Sequence, residues 1–134
     1  MKAKTVKALM VEPNKHPCVI DLKTDLDSLQ KAVSIGAEYQ GLIEFVWLKD
    51  NVSLLLNEEG KLIGLEPNRR FYDDILCGVF YVVAENDDGE LISLTSEQQE
   101  HYTKLFYTPD VIDTASIENT IFFRLFKAGD EDGI

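Results

Sequence analysis

Long apolar runs, basic residues in the second half, closely spaced cysteines and catalytic signatures are all scarce in this 134-residue chain. Each scarcity excludes something. The longest uninterrupted apolar stretch, residues 79–84, has the length of a strand; crossing a bilayer as a helix takes about 20 such residues. Lys2, Lys4 and Lys7 are not followed by an apolar run long enough for a signal peptide. The chain is therefore expected in the cytoplasm, with no membrane partner. Only two cysteines and two histidines are present, His16, Cys18, Cys77 and His101, and no two of them stand at a metal-ligand spacing. No metal and no cofactor is expected, and Cys18 and Cys77, each in an apolar, strand-like context, are expected as buried reduced thiols. No glycine-rich phosphate loop, nucleophile elbow or His-Glu-x-x-His pair occurs.

Positive charge is the remaining shortage. Twenty-four acids against thirteen bases give a net charge of −11, unevenly spread: residues 1–23 carry +3, and residues 85–134 carry −9. Such a surface repels the phosphates of nucleic acids, so direct nucleic-acid binding is not expected.

What is present reads as one α+β domain spanning residues 1–134. Residues 5–12 and 17–22 read as two strands joined by the turn Pro13-Asn14-Lys15-His16. Thr24 or Asp25 caps a helix whose Leu26, Leu29 and Val33 share one face, with Gly36 placed to end it. Residues 42–48 and 52–56 are strands around the turn Lys49-Asp50-Asn51, and residues 61–65 read as a short returning strand. Residues 66–74 are polar and irregular. Residues 75–84 read as a central strand covered on both faces, with Gly78 marking a bulge or a close backbone approach. After the turn Asn86-Asp87-Asp88-Gly89, Thr95 and Gln98 have the spacing of a capping box opening a second helix. Residues 120–126 alternate and read as a strand, with a short helix as the alternative. The expected architecture is a mostly antiparallel sheet of about six strands with two main helices packed on one side.

The candidate chemistry concentrates in residues 57–70, where Asn57, Glu59, Asn68, Arg69 and Arg70 gather around Gly60 and Gly64 on backbone expected to be irregular. A guanidinium there can fork onto a carboxylate or phosphate, or can brace the loop against Asp73 or Asp74. A nucleophilic pair of His16 and Cys18 is disfavoured because no third, orienting residue is identifiable. No catalytic residue is assigned.

The run Asn57-Glu58-Glu59-Gly60-Lys61-Leu62, followed by Gly64-Leu65 and Asn68-Arg69, carries a resemblance. Together with Met10-Val11-Glu12-Pro13, Asp74-Ile75, Gly78 and Leu94-Thr95, it resembles the core pattern of a family of short phage and Firmicutes mobile-element proteins, domain of unknown function 3846. The resemblance covers about residues 6–106 and leaves 107–134 as a C-terminal extension. It implies a cytoplasmic accessory protein of a phage, a mobile element or a bacterial host, and implies no substrate or catalytic residue. Three functions are then open: a non-catalytic accessory domain with a protein partner; an acidic nucleic-acid mimic blocking a host DNA-binding defence protein; and a small nucleotide- or acid-binding enzyme.

Overall fold

The computed structural model describes residues 4–112. β1 (Thr5–Val11) and β2 (Cys18–Lys23) form an antiparallel hairpin with Thr5 opposite Lys23 and Met10 opposite Cys18. The Asp25 carboxylate accepts from the Ser28 amide at 3.0 Å and caps α1 (Leu26–Ala32). That hydrogen bonding holds the Asp25 carboxyl below the usual carboxylate range. β3 (Ile43–Lys49) and β4 (Val52–Asn57) are joined through Asp50 and Asn51, both at positive φ (51° and 62°). Two consecutive left-handed residues match the twist of a tight hairpin, and Asp and Asn tolerate that region better than other side chains.

β5 (Pro67–Phe71) and β6 (Asp74–Cys77) form a separate two-stranded sheet. β7 (Phe80–Glu85), β8 (Leu91–Ile92) and α2 (Ser96–Leu105) follow, and the Thr95–Gln98 capping box forms as expected. Among the described residues the main sheet has six strands in the order β2-β1-β7-β4-β3, with β8 also paired to β7, and every pairing is antiparallel. The fold is α+β.

β7 sits between β1 and β4, and its first five residues are all buried. Alternate side chains serve two separate cores. Phe80, Val82 and Ala84 join Leu9, Val11, Leu54 and Leu56 beneath Tyr102 and Phe106 at α2. Val79, Tyr81 and Val83 join Val6, Ala8 and Leu55 beneath Leu29 and Val33 at α1. The two helices thus cover opposite faces of the sheet, which corrects the expectation of both on one side. The physical reason is that β4 and β7 are apolar on both faces, so each face needs its own cover.

Three local expectations also change. Residues 61–65 form turns instead of a strand, with Leu65 N–H donating to the Gly60 carbonyl at 2.9 Å and Gly64 at φ +78°. Residues 66–74, expected irregular, contain β5 and the turn to β6, with Tyr72 at φ +54°. The strand expected over 75–84 is two strands broken at Gly78, whose φ of +81° and 2.7 Å clearance from a Cβ to Leu65 Cδ1 disfavour any side chain. Cys77 is buried, whereas Cys18 is exposed on β2. The strand or helix expected over 120–126 lies outside the described residues. No helix of the described residues is long and apolar enough to cross a membrane.

Candidate functional site

Asn57 ends β4 and is buried. Its amide group donates to the Val33 carbonyl at 3.4 Å, while its Oδ1 accepts from the Glu59 N–H at 2.9 Å. The side chain therefore ties the end of α1 to the turn that follows β4. Gly60 keeps this turn close to β6: a Cβ there would meet the Cys77 carbonyl oxygen at 2.8 Å.

A cleft of about 320 Å³ lies between this turn, β3 and β6. Val46, Leu56, Ile75 and Leu76 line it with hydrocarbon; Glu44, Glu58, Glu59 and Asp74 line it with carboxylates. Glu58 and Glu59 are exposed, as is Leu62. Lys61 also lines the cleft, but its side chain is only 8% exposed and its ammonium is bonded to Asp74. Cys77 completes the wall; burial pushes its thiol pKa up, against a smaller opposing pull from Lys61. A thiol held protonated in this way is a poor nucleophile at neutral pH.

Asn68 and Arg69 face inward instead. The Asn68 amide donates to the Val11 carbonyl at 2.8 Å and to the Gly78 carbonyl at 2.9 Å, and its Oδ1 accepts from Arg69 Nη1 at 2.7 Å. The Arg69 guanidinium donates to the carbonyls of Phe106 (3.0 Å), Asn68 (3.2 Å) and Lys15 (2.6 Å). Burial lowers the Arg69 pKa and the Asp110 carboxylate opposes that shift; arginine nevertheless stays charged at any ordinary pH. Arg70 is exposed, and its backbone N–H donates to Asp110 Oδ2 at 2.7 Å.

The five candidate residues therefore do not converge. Asn57 and Glu59 line the first cleft. Arg69 and Arg70 border a second hollow of about 500 Å³ against Tyr72, Lys104 and Phe106. Asn68 lines neither and acts as an internal clamp on the Val11 and Gly78 carbonyls. His16, considered as a base for Cys18, stacks on Tyr107 with ring centroids 4.1 Å apart, and its Nδ1 lies 2.7 Å from the Tyr107 carbonyl oxygen.

Sequence reasoning missed most of the cleft's lining. One available signal was Glu44, an acid inside the otherwise apolar run 42–48. Ile75 and Leu76 gave none, because they read only as core.

The family described as a domain of unknown function (DUF3846) matches this chain over residues 6–107. No curated protein and no solved structure matches it.

Proposed function

The chain belongs to that family, and from this premise we propose that it is a non-catalytic accessory domain that recognises a protein partner through the cleft beside residues 57–62. In this reading it acts as a single domain in the bacterial cytoplasm, in the service of a phage, a mobile element or its host, and does not bind nucleic acid directly. Residues 6–106 are the family-like core and 107–134 an extension.

The observation that carries the reading is the composition of the cleft. An aliphatic floor under exposed carboxylates is a recognition surface: the floor supplies affinity, and the rim supplies orientation. Asn57 and Glu59 enter this reading as cleft residues. Asn68 and Arg69 enter it as the clamp that holds β5 beneath the α2 end.

Arg69→Ala is a poor probe of recognition, because it removes a buried internal brace. Leu62→Arg and Glu59→Lys alter exposed positions and are the better probes. The wild-type protein is expected to retain a stoichiometric partner from a bacterial lysate, and both variants to lose it while keeping the wild-type circular dichroism and unfolding midpoint. Retention of the same partner by both variants contradicts the proposal.

A further inference from the structure

We propose that the cleft takes a lysine or arginine side chain presented by a basic segment of the partner protein, an inference that rests on reading the cleft as the interaction surface. At about 320 Å³, the cleft lies near the lower end of ligand pockets, roughly 300–1,000 Å³. That volume suits one long side chain better than a dinucleotide or a haem-sized group. Its lining combines hydrocarbon with carboxylates. Val46, Leu56, Ile75 and Leu76 offer hydrocarbon, the half-buried Glu44 and Asp74 add acids to the wall, and Glu58 and Glu59 are exposed. A side chain with an aliphatic stem and a cationic head matches both parts. A purely apolar side chain fills the floor and leaves the acids unanswered, and an acidic one meets repulsion at the rim.

The cleft's own cation does not compete for that role. Lys61 is turned into the wall and bonded to Asp74, so its charge is directed inward and the outward-facing charges are those of Glu58 and Glu59. The wall is also built before any partner arrives. Gly60 N–H donates to the Asn57 carbonyl at 3.3 Å, Leu65 N–H donates to the Gly60 carbonyl at 2.9 Å, and the Glu58 N–H donates to the Leu42 carbonyl at 3.0 Å. A preformed cleft spares the ordering cost that weakens binding to mobile loops. Over longer range, a chain of net charge −11 attracts a basic segment and repels an acidic one.

The test is an amide NMR titration of the full chain with three capped pentapeptides that differ only in a central lysine, norleucine or glutamate. The lysine peptide is expected to shift the resonances of residues 57–62 and 74–77 and to bind about five-fold more tightly than the norleucine peptide. Raising NaCl from about 0.05 to about 0.5 M is expected to erase that advantage. So is the double substitution Glu58→Gln with Glu59→Gln, in a protein whose remaining spectrum stays that of the folded chain. Equal binding of the norleucine peptide in the cleft overturns the cationic assignment and leaves the interaction reading standing. Lysine-peptide shifts scattered over the acidic surface, or none at all, overturn the assignment as well. Failure of the interaction reading has a different signature, a partner retained despite both Leu62→Arg and Glu59→Lys.

Discussion

The guanidinium of Arg69 donates from Nε to the carbonyl oxygen of Phe106 at 3.0 Å, joining a strand outside the main sheet to the residue that caps α2. The same group reaches the Lys15 carbonyl between β1 and β2 at 2.6 Å. One charged side chain therefore ties three parts of the chain through backbone acceptors, where the sequence left open both a binding role and a brace against Asp73 or Asp74.

Removing that brace is expected to be costly. Arg69→Met keeps much of the stem and leaves buried carbonyls without their donor, so it should destabilise by about 3 kcal/mol. Arg69→Lys should recover only part of this, because a single ammonium lacks the fork that reaches separate carbonyls. Urea unfolding checks it, through a lowered midpoint at unchanged slope.

Gly78 and Gly89 provide a contrast within the same molecule. Both have φ near +80°, but a Cβ at Gly78 meets Leu65 at 2.7 Å while one at Gly89 meets nothing within 4 Å. Gly89→Ala should cost about 1 kcal/mol, the penalty of a left-handed non-glycine residue. Gly78→Ala should cost roughly 2–4 kcal/mol, since the clash adds to it. Equal unfolding midpoints for the two variants contradict the close approach.

Tyr81 predicts an alkaline limit. Burial, followed by the charges of Glu12 and Cys18, pushes its pKa up to about 12, and its hydroxyl donates to the Ala32 carbonyl at 2.8 Å. The folded state holds this proton more tightly than the unfolded one, whose reference value is 10.0. Its contribution is therefore complete below pH 10 and is lost as pH rises from 10 to about 12. The loss amounts to roughly 2–3 kcal/mol. Tyr102 is shifted upward for the same first reason, burial, and acts in the same direction. Unfolding free energy measured across pH 9–11.5 should fall, and Tyr81→Phe should flatten the fall by up to one proton. An identical slope in the variant contradicts the assignment.

The sequence shows the sheet more clearly than the cleft. Residues 75–84 read as a strand covered on both faces, and Thr24 or Asp25, and Thr95, marked helix starts, because hydropathy and capping are local signals. Both helices were nevertheless expected on one side, whereas each face of the sheet carries its own. β5 was hidden because its buried side chains, Asn68 and Arg69, are polar. Their burial is stabilised by backbone carbonyls from Val11, Gly78, Lys15 and Phe106, distant partners that no local pattern reveals. The same limit applies to the cleft, where Glu59 was visible as a polar turn residue. Its apolar floor is assembled from β3, β4 and β6, so it appears only once the strands are paired.

Amide hydrogen exchange of the chain alone and of the chain with its retained partner tests the central claim most directly. Binding through the cleft should slow exchange in residues 57–62 and 74–77 and leave the turn of residues 86–89 and the exposed face of α2 unchanged. Protection confined to the Arg70–Tyr72 hollow or to the edge of β3 away from β4, with residues 57–62 unaffected, would contradict it.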